Sequence, residues 1–316
     1  LTFAQWLTEA AKSVPGVLVV ASLPASDIEI GGEGGQEALK RLEHTFARIE
    51  STWRPASADE GFEIVRRRLF EPISDPESFR ARDAVISAFI DHYRVHKAEF
   101  PGEVGEADYA RRMAAAFPIH PELFDRLYQD WGALDQFQRT RGVLRLMAAV
   151  VHALWVREDR SLLILPASIP IDDQTTQEEL ARYIPVAWRS VIDQDVDGAT
   201  SLPLKIDQEN PTLGRYSAAR RVARALFLGS APRLGATNQG LEDRRIKLAC
   251  GQPGESVATF GDALRRLADR ANYVYQNGTR YWYGLTPSVN RMAEERAAQQ
   301  KLDDVHVEIL SHLKKA

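Results

Sequence analysis

Tyr273-Val-Tyr-Gln-Asn-Gly-Thr-Arg-Tyr-Trp-Tyr283 decides how the C-terminal part of this chain is read. Aromatic and β-branched residues flank an Asn-Gly pair, the strongest short-range hairpin signal a sequence carries. Three stretches with helical apolar spacing, 217–228, 241–249 and 259–271, precede it. Three helices followed at once by a hairpin is the order of a winged helix-turn-helix. On that reading 259–271 is the recognition helix, with Arg265, Arg266 and Arg270 on its outward face, and the wing presents Asn277 and Arg280. Recognition helices enter the major groove and wings touch phosphates, so double-stranded DNA is an expected partner. Protein docking is the other use of such a module. The hairpin aromatics, Tyr273, Tyr275, Tyr281, Trp282 and Tyr283, are expected to pack across strands rather than to stack on bases. Thr286-Pro287 then caps a long terminal helix.

Working outward, charge separates the two ends of the chain. Residues 214–300 hold 14 Lys/Arg against 7 Asp/Glu, whereas residues 1–213 hold 23 against 34. Such asymmetry points to a nucleic-acid or acidic contact for the basic part, or to two oppositely charged parts docked on each other. At 316 residues, 44% hydrophobic and 27% charged, the composition is that of a soluble globular chain of two or three domains. No apolar run approaches the roughly 20 residues of a membrane span. One cysteine, Cys250, excludes an internal disulfide and a cysteine-cluster zinc site, which makes a reducing cytoplasmic setting the expectation.

The front of the chain reads differently. A helix over 3–13, ended by Pro15-Gly16, leads into Val17-Leu-Val-Val-Ala-Ser-Leu-Pro24, apolar nearly throughout like a strand covered on both faces. A glycine-rich loop, a helix over 36–46, a strand at 48–53 and a helix from Ser57 to Leu69 follow. The chain contains no G-x-x-x-x-G-K-[ST] loop, so it cannot cradle a triphosphate alone. From 76 to 156 the pattern is helical, with helices at 81–97, 108–116, 121–131 and 141–156, then a strand-like Leu162-Leu-Ile-Leu165. Residues 166–213, with a helix at 177–194, read as a connecting segment.

Few residues suggest metal or acid–base chemistry. Only His92 and His96 stand four apart, without the glutamate of H-E-x-x-H, and they are expected on a solvated face. His120, between Pro118 and Pro121, is expected to cap or pack at a rigid helix entry. Asp193, Asp195, Asp197 and Gly198 lack the twelfth-position glutamate of a calcium loop (Leu204 stands there) and read as a turn. No metal site is expected.

Leu18-Val-Val-Ala-Ser-Leu-Pro24, Phe117-Pro-Ile-His-Pro-Glu-Leu-Phe124, Phe137-Gln-Arg-Thr-Arg-Gly-Val-Leu-Arg-Leu146 and Ala258-Thr-Phe-Gly-Asp-Ala-Leu-Arg265 resemble the domain of unknown function DUF499, in order along nearly the whole chain. Members of that family look like large AAA+ ATPases encoded beside DNA methyltransferases and helicases in anti-phage islands. The resemblance implies an α/β plus mostly α fold. Residues 1–75 would be the C-terminal part of an AAA+ P-loop core without Walker A and B, 76–165 a helical lid, 166–213 a connection and 214–316 the winged helix. It also implies site residues. Ser22 would be sensor 1, Arg48 (or Arg41) an arginine finger, and Arg145 in Gly142-Val-Leu-Arg145 sensor 2, with Arg141 and Arg139 beside it. Guanidinium forks suit phosphate oxygens. The plainer alternatives are a strand-end serine, a surface arginine paired with Glu50 or Glu43, and a polar stripe on an apolar helix. ATP and Mg would be bound only by the full-length protein, with the upstream half and further copies as partners, so this portion is not expected to be catalytic alone. A DNA-binding module or a docking scaffold remain the other classes.

Overall fold

The computed structural model describes residues 2–17, 19, 58–134, 136–137, 139–235, 239–288, 292–293, 296–297 and 302–313. The expected strand at 17–23 falls almost wholly outside them. The helix at 36–46, the strand at 48–53, Ser22, Arg41 and Arg48 also lie outside the described residues, and so does the α/β part of the expected fold. What is described is helical apart from one three-stranded sheet.

α1 (Thr2–Ser13) presents Phe3 and Trp6 to solvent. α2 (Ala58–Leu69), α3 (Pro76–Val95) and α4 (Ala107–Ala116) follow the predicted periodicity. Asp75 starts α3, its carboxylate accepting from the N–H groups of Glu77 and Ser78 at 3.0 and 2.8 Å, with Pro76 in the first turn. α5 (Pro121–Asp125) runs into a π-turn at Arg126–Asp130 and a 3-10 turn at Trp131–Ala133 where one continuous helix was expected. Trp131 has a specific errand. Its indole N–H donates to the Leu228 carbonyl at 2.9 Å, whose helical partner four residues on would be Pro232, which has no N–H.

α6 (Arg139–Val156) is the long apolar helix. The expected strand at 162–165 does not form. Only an isolated parallel bridge joins Ile119 to Ile164, with hydrogen bonds from His120 N to Ile164 O and from Ile164 N to Pro118 O, both 3.0 Å. Pro118 and Pro121 on one side and Pro166 on the other remove the donors that would extend a ladder.

Residues 166–213 hold α7 (Gln174–Ala181), α8 (Trp188–Val191), a π-turn at Ile192–Val196, α9 (Leu202–Glu209) and α10 (Pro211–Gly214). Their apolar side chains, among them Ile169, Leu180, Trp188 and Val196, are buried in the principal core that runs from Phe62 to Tyr283. A connecting segment with so much buried apolar surface is part of the body.

α11 (Ala218–Ser230) is buried along most of its length and packs against several other elements. Its alanines permit close approach, and at Gly229 a Cβ would stand 2.5 Å from Leu241 side-chain atoms. Then come β1 (Leu241–Glu242), α12 (Asp243–Cys250), α13 (Val257–Arg270), β2 (Val274–Asn277) and β3 (Arg280–Tyr283). The sheet is antiparallel in the order β1-β3-β2, with Leu241 opposite Tyr281 and Tyr275 opposite Trp282. Asn277 and Arg280 face each other, so the hairpin loop is Gly278-Thr279. Gly278, with φ +58°, takes the first central position where a type II′ turn needs positive φ. A second core between α3 and α4 includes Phe89, Tyr93, Phe100 and Met113, and takes Leu248 of α12 and Val257 of α13. α14 (Leu302–Leu313) is the last element described.

Candidate functional site

The outward face of α13 is less basic than its sequence. Arg265 and Arg266 are exposed and share Asp262, at 3.5 and 2.9 Å. Arg270 instead holds Glu209 of α9 with two hydrogen bonds of 2.7 and 3.3 Å. Arg280 donates to the carbonyls of Gln239 and Gly240 at 3.3 and 3.0 Å and stands 3.5 Å from Glu242, so it fastens the loop before β1. Asn277 is exposed at the tip of the hairpin. The hairpin aromatics pack on the protein: the Tyr275 and Trp282 rings stack 5.8 Å apart, and Tyr281 and Tyr283 are buried.

The charge asymmetry has a counterpart in contacts between the two parts of the chain. Arg220 and Arg224 pair with Asp172 and Asp197, Arg233 with Asp130, Arg245 with Glu103 and Glu122, Lys247 with Glu99, and Arg270 with Glu209. Six cations of the basic segment are thus matched by carboxylates that precede residue 214. Docking of oppositely charged parts accounts for them without an external anion.

On α6, Arg145 is 47% exposed at its side chain and lies 3.1 Å from Glu179, which Arg182 also contacts at 3.2 Å. Arg141 is exposed, and nothing is described of the Arg139 side chain. Gly142 has a local reason to be glycine: a Cβ there would sit 1.9 Å from the Phe137 carbonyl oxygen. Of the residues expected to sense a nucleotide, Arg141 and Arg145 lie on α6, while Ser22 and Arg48 lie outside the described residues.

The opposite end of α6, ~18 Å from Arg145 at 1.5 Å per residue, lines a feature that sequence reading missed. A cleft of about 530 Å³ is walled by Arg157 and Arg160 after α6, by Pro170, by Arg215, Arg220, Arg221 and Arg224 around the start of α11, and by Pro253 and Glu255 before α13. Asp172 accepts from Arg157 at 2.8 Å, Arg224 at 3.0 Å and Arg220 at 3.2 Å, while the fully buried Asp197 carboxylate takes Arg224 at 2.6 Å and Arg220 at 2.7 Å. Burial raises the pKa of Asp197 against the pull of Arg224 and Arg220. Burial also opposes ionisation of the more open Asp172, but Arg157, Arg224 and Arg220 hold its pKa below the usual carboxylate value. Arg221 pairs with Glu255 at 2.7 Å and lies 4.9 Å from the Phe260 ring centroid. Spacing along the chain gave no signal for this site, because its arginines come from two separate stretches, 157–160 and 215–224.

Other titratable groups are structural. His120 is the N-cap of α5: Nδ1 accepts from the Glu122 N–H at 3.2 Å, and Nε2 lies 2.9 Å from the Tyr93 hydroxyl. Burial, with Arg112 adding to it, lowers its pKa to about 3. Of the two roles expected from sequence, capping or packing, His120 caps the helix and is also fully buried. Glu122 is fully buried beside Arg126 and Arg245, at 3.2 and 2.9 Å. Cys250 is buried and pushed up to about 12, so its thiol is inert at neutral pH. His92 is half-buried rather than on a solvated face, its ring 4.9 Å from that of His96. Among the described residues no group of three or more His, Cys, Asp or Glu could hold a metal ion, and no helix is long and apolar enough to cross a membrane. The Asp193–Gly198 turn is instead tied inward, Asp195 accepting from the Tyr273 N–H at 2.7 Å and Asp197 from the Asp172 N–H at 3.0 Å.

A family model described as DUF499 second domain matches residues 56–242. The chain belongs to the DUF499 family. No curated protein and no solved structure matches it. The DUF499 match runs from just before α2 to the end of β1, so it contains the cleft residues 157–224 but stops short of α12, α13 and the hairpin.

Proposed function

We propose that residues 218–283 are a winged helix-turn-helix that touches duplex DNA, mounted rigidly on the helical body of a DUF499 protein. The observation that carries this reading is topological. A helix, a short strand, two helices and a hairpin follow one another, and β1 pairs with the far strand of the hairpin in the order β1-β3-β2. Arg265, Arg266 and Asn277 are the groups offered to DNA, since Arg270 and Arg280 hold the module to its own surroundings. Two phosphate contacts give a slope of log affinity against log salt of about −2. Titration of a duplex across a salt series should return that slope, with the Arg265→Ala/Arg266→Ala variant losing it. A duplex that does not bind at low salt would remove DNA contact from the reading.

The ATPase reading of the larger protein is supported by Arg145, which is exposed and, among the described residues, pairs with a carboxylate it shares with Arg182. In it, Ser22, Arg48, Arg141 and Arg145 serve a nucleotide and Mg bound by the upstream half, in a homo-oligomer working with DNA-modifying partners. In the full-length protein Arg145→Ala then lowers ATP turnover at least tenfold with unchanged thermal stability. Unchanged turnover removes Arg145 from that role.

A further inference from the structure

We propose that the arginine cleft between the end of α6, the start of α11 and the loop before α13 is a binding site for a phosphate-bearing ligand. Six guanidiniums converge there: Arg157, Arg160, Arg215, Arg220, Arg221 and Arg224. Two kinds can be told apart. Arg157, Arg220 and Arg224 share the carboxylates of Asp172 and Asp197, which leaves three positive charges against two negative ones, all partly withdrawn from water. Arg221 is balanced by Glu255. Arg160 and Arg215 have no carboxylate within ion-pair distance among the described residues. Asp159, the other acid that lines the cleft among the described residues, accepts from the backbone N–H of Ser161 at 2.9 Å. The mouth therefore keeps an excess of positive charge over a floor of carboxylate-anchored arginines.

That division suits anion capture. Anchored guanidiniums lose little freedom when a ligand arrives, and their planar forks match phosphate oxygens. The volume, about 530 Å³, lies in the range of small-molecule sites. The cleft is not wholly polar: Leu154, Leu162, Pro170, Pro253 and Tyr216 line it, and Arg215 lies 5.3 Å from the Tyr216 ring centroid. An organic group attached to the phosphate thus finds apolar wall and an aromatic edge. Ser217, in the left-handed region at φ +49°, breaks the chain between α10 and α11, so Arg215 and Arg220 enter the cleft from two elements. The inference does not rest on the winged-helix reading, whose DNA-facing Arg265 and Arg266 do not line the cleft.

Calorimetric titration of the full chain with inorganic pyrophosphate tests it. The expected result is one site that the Arg160→Ala/Arg215→Ala variant weakens at least tenfold while its melting temperature stays unchanged, because neither residue holds an ion pair in the fold. Arg265→Ala/Arg266→Ala should leave pyrophosphate binding intact, which separates this site from the proposed DNA face. Two further arms sort the source of the phosphate. A nucleoside monophosphate binding more tightly than pyrophosphate assigns a free small molecule, and displacement of pyrophosphate by a duplex assigns a nucleic-acid backbone. Absence of binding at millimolar pyrophosphate, or equal binding by the Arg160/Arg215 variant, overturns the proposal.

Discussion

His120 shows how one side chain can be fixed in protonation state by its place in the fold. As acceptor for the Glu122 N–H it must keep Nδ1 unprotonated, and burial enforces this by lowering its pKa from 6.5 to about 3. The sign follows directly. The neutral form belongs to the folded state, so its contribution is complete above pH 6.5 and is lost as pH falls from 6.5 toward 3. The loss grows by about 1.4 kcal/mol per pH unit. Buried Glu122, Asp130 and Asp197 have raised pKa values and act in the opposite sense, so the comparison must be made against a variant. Asparagine at 120 retains a capping acceptor without titrating. Denaturant melts of His120→Asn and wild type between pH 7 and 4 should therefore diverge in slope by about one proton, and parallel slopes would show that His120 does not titrate with unfolding. His120 was legible in the sequence because prolines on both sides announced a helix entry. Its Tyr93 partner was not, since 27 residues separate them.

At the scale of an element, α11 is instructive. Its sequence gave the helix and its alanines the close packing, but its cap comes from elsewhere. Ser217 occupies the N-cap position with no side-chain capping bond. The carboxylate of Asp207 on α9 does the work instead, accepting from the N–H groups of Ala219 and Arg220 at 2.9 and 3.1 Å. A charged acceptor at a helix N-terminus also meets the positive end of the helix dipole. Asp207→Ala should cost about 1–2 kcal/mol, the range for a lost cap, whereas Ser217→Ala should cost almost nothing. Chemical denaturation of the two variants checks this, and a larger loss for Ser217→Ala would refute it. The other end of α11 is also closed by distant groups. Trp131 supplies the N–H that Pro232 lacks, and the Ser230 hydroxyl donates to Leu226 O at 2.6 Å while accepting from Tyr283 N at 3.0 Å. The missed strand at 162–165 has the converse explanation: apolar residues suited a strand, but prolines on both sides of the bridge removed the donors that would extend it.

For the whole molecule, ion pairs join what the sequence divides. The acidic residues before 214 and the basic residues after it meet across the interface of α11 and α12 with the helical body, and both apolar cores include residues from each side of that division. Phe260, Leu264, Leu267, Tyr281 and Tyr283 lie beyond the family match yet are buried in the principal core. A chain ended at Glu242 should therefore lose its cooperative melt and bind a hydrophobic dye, while the full chain melts in one transition. Cooperative unfolding of the shortened chain would show that residues 56–242 hold together without the C-terminal module. The same pairings explain why net charge overstated the basic surface left for a partner. Of the five residues expected to read DNA, Arg270 and Arg280 are engaged by Glu209 and by the loop before β1, while among the described residues Arg265, Arg266 and Asn277 make no such tie to another element.

The sequence by itself determined most helices, whose periodic apolar faces are local, though not the breaks within 121–131 and 177–194. It also determined the hairpin, whose turn demands glycine at 278, and membership of the DUF499 family, whose match takes in the motifs at 117–124 and 137–146. It determined the pool of charge but not its use. Which arginines are spent on carboxylates, which stay in the open, and that six of them meet in one cleft were decided only by the tertiary structure. The physical reason is that a guanidinium acts over a few ångströms, and the partners that neutralise Arg220, Arg245 and Arg270 lie between 23 and 142 residues away along the chain.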